Sequence, residues 1–185
     1  VLVIGYSISI TPSYETLDIT HALEEARTEL KENQEIVVFN SKNPFNFYDI
    51  FNRIEEISYQ QVYGILTKPD SIGVFPLIIG VAGSAGWGDH HYGYLERYVQ
   101  NGFAVFSLHS FKSRDVESTV GEQLSVTIPM VIHDAFKALN KLSDDPQINA
   151  RRAGITGWSL GGGVALFSGW EPIQKIISPN LQFAA

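Results

Sequence analysis

The stretch Gly154-Ile155-Thr156-Gly157-Trp158-Ser159-Leu160-Gly161-Gly162-Gly163 constrains this chain more than any other. A short apolar run enters it, and a run of small residues with helical potential leaves it. At its centre Gly157-Trp158-Ser159-Leu160-Gly161 is a G-x-S-x-G pattern. Such a pattern places a serine on a strained strand-to-helix turn, hydroxyl outward, with the first helical N–H groups beside it. The glycines have a steric reason: two residues before and two after the serine, the chain passes close to other backbone, where a Cβ would collide. The pentapeptide alone is a weak signal, because glycine and serine are common, so its weight comes from the surrounding chain.

That surrounding chain alternates. Residues 17–30 carry Ile19, Ala22, Leu23, Ala26 and Leu30 on one helical face. Ile36-Val37-Val38-Phe39 predicts a short strand, 42–53 a loop with a helical turn, and Gln61–Thr67 a second strand. Val74 to Val81 is nearly all apolar, as suits a parallel strand covered on both faces. It runs into Ala82-Gly83-Ser84-Ala85-Gly86-Trp87-Gly88, a loop made almost wholly of small residues. A helix over 90–101 is expected to turn Leu95, Tyr98 and Val99 inward, and Asn101-Gly102 to stop it. Phe103–Leu108 reads as the next strand, His109–Gly121 as a polar excursion, and Pro129 as the start of a helix with Ile132, Ala135, Phe136, Leu139 and Leu142 on one face. Ala153–Gly157 is then the strand into the serine turn, and Ser159–Gly169 the helix out of it.

From residue 74 the order is strand, helix, strand, helix, strand, helix, which implies right-handed crossovers and a mostly parallel sheet with helices on both faces. Ligands in such sheets sit at the carboxyl ends of strands. The 82–88 loop and Ser159 both follow strand ends, so they are expected at one edge of the sheet. Residues 1–60 read as an N-terminal lead, helix and strand, and 61–185 as the core; neither an internal repeat nor a second domain is visible.

With 185 residues the chain can bury one sizeable core. A net charge of -7 without a Lys/Arg cluster disfavours a nucleic-acid binder. The absence of cysteine excludes disulfides and thiolate metal sites but decides no compartment. Val1–Ile10 fits the apolar remnant of a secretory signal, a strand or a disordered lead, leaving cytoplasmic and exported readings open. It is too short to span a bilayer as a helix. Leu181–Ala185 reads as the beginning of a strand, and both ends suggest a fragment.

Ser159 is the candidate nucleophile. A serine hydroxyl needs a general base, and its reaction needs donors for the developing oxyanion. The backbone N–H of Leu160 is one, and the Gly83-Ser84-Ala85-Gly86 loop is suited to bring the second, placed at Ser84. The competing reading is a tight turn that merely packs on its glycines. A phosphate site fits poorly, since neither G-x-G-x-x-G nor GK[ST] stands at the turn. Trp87, Trp158 and His91 are the candidate substrate contacts. Of the other histidines, His21 and His133 lie in helical stretches and His90 beside the loop, and none has metal-site spacing. Arg114 either pairs with a carboxylate to orient its loop or is solvated.

These residues together resemble an α/β-hydrolase of the dienelactone hydrolase family over about 62–185. The resemblance is carried by Gly83–Trp87, Asn101–Val105, Ser110–Arg114, Gln123, Asp134–Leu139 and Gly154–Gly162. It implies the α/β-hydrolase fold in incomplete, N-terminal form, with Ser159 as nucleophile at the elbow and backbone oxyanion donors at Leu160 and near Ser84. Relatives place the catalytic Asp and then His downstream, whereas this chain stops 26 residues past Ser159. Asp115, Asp134, His90 and His91 do not occupy those positions. His109 stands where relatives often have Asp, which puts any loop-anchoring role there in doubt. The expectation is a serine-dependent carboxylic ester or lactone hydrolase without metal or organic cofactor, acting on a small molecule and inactive as this stretch alone. A catalytically dead binding domain and an amide or peptide hydrolase on the same scaffold are the alternatives.

Overall fold

The computed structural model describes residues 17–184, so Val1–Ile10 lies outside the described residues. Five strands form one sheet: β1 (Gln34–Lys42), β2 (Tyr59–Thr67), β3 (Phe75–Val81), β4 (Ala104–Leu108) and β5 (Ile148–Gly157). Their order across the sheet is β1-β2-β4-β3-β5. β4, β3 and β5 run parallel, whereas β1 and β2 form an antiparallel edge. The parallel part is the strand-helix alternation read from residue 74. The antiparallel edge has no helical crossover between its strands, only α2 (Phe47–Asn52) and a 3-10 turn at 54–56. α2 is held at its start by a reciprocal cap, in which Asn46 Oδ1 accepts from Asp49 N and Asp49 Oδ2 from Asn46 N.

Alternation along the strands assigns the helices to two faces. On β1, Val37 and Phe39 join the main core, while Ile36 and Val38 turn to a smaller cluster with Ile19, Ala26 and Tyr63. That cluster seats α1 (Thr20–Glu29). On β3, Leu77, Ile79 and Val81 join the main core. Gly80 faces the other way, against Leu95 of α3 (Asp89–Gln100) and Trp87. α4 (Ile128–Leu142) and α5 (Leu160–Ser168) cover the main-core face. Helices therefore lie on both sides of the sheet.

α4 is more deeply set than its sequence period implies. Ile132, Ala135, Phe136, Leu139 and Leu142 are buried as expected, but so are Met130, Val131, His133 and Asp134. β1 and α5 pack along it, and α6 (Glu171–Ile177), which the sequence pattern did not announce, closes one side. β5 begins five residues before the predicted strand, with a register irregularity opposite Pro76 and Leu77. Residues 181–184 form no strand; Phe183 packs on Phe136, and Ala184 N donates to Ala153 O at 2.8 Å. Among the described residues no helix is long and apolar enough to cross a membrane.

Arg114 fastens the loop after β4. Its guanidinium grips the Asp134 carboxylate of α4 with two bonds, 2.7 and 3.0 Å. It also donates to Ser110 O and to Asn43 Oδ1, both at 2.9 Å. The pairing reading of Arg114 is thus the one realised. A buried pair broken on one side leaves an uncompensated charge, which costs far more than the pair contributes. Arg114→Met is expected to lower stability by roughly 3–5 kcal/mol, read from urea unfolding midpoints; a loss below 1 kcal/mol, on the scale of an exposed pair, contradicts the anchoring role.

Candidate active site

The serine turn has the geometry its glycines imply. Ser159 sits at φ 52° and ψ -113°, between the end of β5 and the start of α5. This is a sparsely populated region for a residue with a side chain, and it persists only where surroundings enforce it. The enforcement is backbone on backbone. A Cβ on Gly157 would lie 2.1 Å from Gly161 O, and one on Gly161 would lie 2.3 Å from Val81 O and 2.6 Å from Ala82 O. Trp158 N donates to Val81 O at 3.3 Å, tying the turn to the end of β3. Ser159 is exposed. Leu160, as first residue of α5, has no carbonyl within the helix to receive its N–H.

The 82–88 loop meets this turn, as the shared sheet edge requires. A Cβ on Gly83 would touch Trp158 O at 3.1 Å and Ser159 Cβ at 3.4 Å. Gly83 and Gly86 pair across a tight turn, with Gly86 N donating to Gly83 O at 3.0 Å. Ser84 faces a second loop: its carbonyl accepts from Thr119 N at 2.8 Å and Ser118 Oγ at 3.1 Å. The 118–123 segment therefore braces the loop from outside. Gln123, whose φ is 50°, adds a 3.4 Å bond from its Nε2 to Ser84 Oγ.

Trp87, Trp158 and His91 form one aromatic cluster. The Trp158 ring lies 4.7 Å from His91 and 6.2 Å from Trp87, centroid to centroid. Trp87 stacks on Tyr92 at 5.3 Å and donates its indole N–H to Leu108 O at 3.0 Å. His91 is buried and its Nδ1 accepts from Gly88 N at 3.0 Å, which caps α3. Burial, with His90 beside it, lowers its pKa. His133 is structural: Ser41 Oγ lies 2.8 Å from its Nδ1, which also accepts from Lys42 N at 3.2 Å. Among the described residues no hydrogen bond joins Ser159 Oγ to a histidine, and no cluster of His, Asp and Glu has the makings of a metal site.

A cavity of about 280 Å³ opens beside the turn, lined by Ala82, Ala85, Trp87, Tyr92, His109 and Leu160 among others. Of the residues expected in the site, Trp87 and Leu160 line it, whereas Ser159, Ser84, Trp158 and His91 do not; Trp158 and His91 pack together, and Trp158 packs on Trp87. Two residues that sequence reasoning did not place in the site also line it, His109 and Ser110. Their position directly after β4, at the same sheet edge as the other two strand-end loops, was the available signal. His109 stacks on Tyr63 at 5.0 Å, and burial together with Lys112 pushes its pKa down to about 4.

No protein-family model and no curated protein matches the chain. Solved structures do. A dienelactone hydrolase from Anabaena variabilis superposes with a TM-score of 0.53 at 17% identity, over 76% of this chain and 60% of its own. A Klebsiella pneumoniae protein named as a dienelactone hydrolase gives 0.52 at 16%, over 75% of this chain and 57% of its own. The chain has the α/β-hydrolase fold. A cold-adapted esterase from an Arctic intertidal metagenomic library gives 0.51 at 15%, over 79% of this chain and 60% of its own. The likeness is one of fold at these identities, and the chain spans 57 to 60% of the length of these three structures.

The depressed His109 pKa makes stability depend on pH. Unfolded, the imidazole titrates near 6.5; folded, near 4. Between those values the unfolded chain binds the extra proton, so stability is present above pH 6.5 and drains as pH falls toward 4. The contribution is on the order of 3 kcal/mol, and His91 and His133, shifted the same way, add to it. Urea unfolding of His109→Phe at pH 7 and pH 4.5 is expected to show a clearly smaller acid loss than the parent; equal losses contradict the buried neutral imidazole.

Proposed function

We propose that this chain carries the nucleophile of a serine-dependent carboxylic ester or lactone hydrolase that works through an acyl-enzyme. The observation that supports the reading best is the Ser159 backbone, held at φ 52° and ψ -113° by two close backbone approaches. Strain of this kind is costly, and the turn delivers an exposed hydroxyl at a helix N-terminus in return. The names of the structural neighbours, dienelactone hydrolase and esterase, are consistent with it.

Ser159 Oγ attacks the ester carbonyl carbon. The carbonyl oxygen gains negative charge next to the Leu160 N–H, with a second N–H from the 83–86 loop, proposed at Ser84. The alcohol leaves, and water then cleaves the acyl-serine. The base that takes the serine proton is a histidine, oriented by a carboxylate, from outside the described residues. Residues 1–185 alone are accordingly expected to turn over little ester. Trp87, Trp158 and His91 shape the substrate side: Trp87 as a wall of the cavity, Trp158 and His91 as its support.

Labelling by a fluorophosphonate tests the nucleophile. The protein carrying this chain in its full reading frame is expected to be labelled, and Ser159→Ala to abolish the label; equal labelling of that variant removes Ser159 from the mechanism. Ser159→Gly separates strain from chemistry. It is expected to lose the label while gaining about 1 kcal/mol of stability in urea, as strain at positive φ is relieved. A Ser159→Gly variant less stable than the parent contradicts stored strain at the turn.

A further inference from the structure

The cavity beside Ser159 has two unlike ends. Its inner wall is apolar: Leu108, Phe111 and Val131 are buried and line it, and Trp87 and Tyr92 add aromatic rings. His109 and Ser110 line it as well, but His109 Nε2 and Ser110 Oγ are closed off from it. Leu160, which directly follows Ser159, belongs to the same wall. The outer end carries charge. Glu29 of α1 and Lys112 and Glu117 of the loop after β4 line it, and both glutamates are exposed.

The sign of that charge is uneven. Lys112 is shared between Glu117 and Glu25, the latter one helical turn from Glu29 and 3.8 Å from the ammonium. Among the described residues Glu29 pairs with no cation. Three carboxylates against one ammonium leave the mouth negative. Tyr92, on the cavity wall, registers this: burial, with Glu29 and Asp89 nearby, pushes its hydroxyl up to about 12. A limb of substrate ending in a carboxylate is repelled at the mouth and meets no free cation further in. A charge of either sign loses its hydration at the inner wall without gaining a partner there. An apolar limb avoids that cost and gains the burial of its own carbon.

Resting on the hydrolase reading above, we infer that the cavity takes the uncharged, apolar limb of a small ester and turns away esters whose limb ends in a carboxylate. Val131, on the inner wall, limits the length of that limb, and Glu29 and Glu117 set the charge it can carry. At about 280 Å³ the cavity is at the small end of ligand pockets, so the limb is compact. The three residues determine specificity and take no part in bond breaking.

The test compares matched esters on the protein that carries this chain in its full reading frame. One arm places the charge on the acyl side, 4-nitrophenyl hexanoate against 4-nitrophenyl hydrogen adipate. The other places it on the alcohol side, pentyl butyrate against 5-butanoyloxypentanoate. In one of the arms kcat/KM is expected to favour the neutral ester by about 100-fold, the scale of leaving a desolvated charge unpaired. The double variant Glu29→Gln, Glu117→Gln removes two carboxylates and releases Lys112, and is expected to shrink that preference about fivefold. Ionic strength of about 1 M, which screens beyond about 3 Å, is expected to shrink it in the parent and to have little effect in the double variant. Val131→Ile adds one methylene at the inner wall and is expected to lower kcat/KM for the neutral ester by about fourfold relative to one whose limb is two carbons shorter. Equal use of neutral and carboxylate esters in both arms overturns the inference. So does a preference that neither the double variant nor salt reduces, or a length dependence untouched by Val131→Ile. Binding of hexanamide against adipamate, followed at the Trp87 indole N–H by NMR, needs no cleavage and separates the two proposals. Preferential binding of hexanamide without cleavage of any ester sinks the hydrolase reading and keeps this one; cleavage that ignores the charge of the limb does the reverse.

Discussion

Everything at the functional edge depends on how closely the β5–α5 turn approaches the end of β3. Gly157, Gly161 and the carbonyls of Val81 and Ala82 leave no room for a single added carbon. That approach fixes the φ of Ser159, the start of α5 and the position of Leu160 together. It also brings the small-residue loop after β3 against the serine, since Gly83 touches Trp158 and Ser159. A sheet whose parallel strands end at one edge makes such a meeting possible. The glycines make it tight.

Around that contact the protein uses two kinds of brace. One is the buried Arg114–Asp134 pair, which ties the loop after β4 to α4 and, through Asn43, to the segment after β1. The other is a set of hydrogen bonds from the 118–123 segment to Ser84, one from the backbone N–H of Thr119 and two from the side chains of Ser118 and Gln123. Both hold loops that line or support the cavity, so its walls are set by the fold and not by ligand.

Much of this was legible in the chain. Uninterrupted apolar runs marked β3 and β4, because strands covered on both faces carry no alternating polar residues. The period of α4 was visible, yet not the burial of His133 and Asp134 on its other side, since their partners Ser41, Lys42 and Arg114 are distant in sequence. The steric role of Gly157 and Gly161 could be derived because it is local. α6 escaped notice because it is short. His109 was read against its relatives and not as a cavity wall; its stack on Tyr63, the loss of its charge and the isolation of its Nε2 all arise from tertiary neighbours.

The two variable positions of the pentapeptide, Trp158 and Leu160, have different surroundings from its glycines. Trp158 leans on the aromatic cluster with His91 and Trp87, and Leu160 forms part of the cavity wall. Their side chains take no part in the close backbone approach at Ser159, to which Trp158 contributes only through its main chain, Trp158 N donating to Val81 O at 3.3 Å. The turn thus divides its labour residue by residue. Gly157 and Gly161 hold the shape by leaving no room for a side chain, while the Trp158 and Leu160 side chains reach away from that contact, one to the aromatic cluster and the other into the main core and the cavity wall. A descendant of this sequence can therefore change what it admits to the site by mutating next to the serine, and keep the serine where it is.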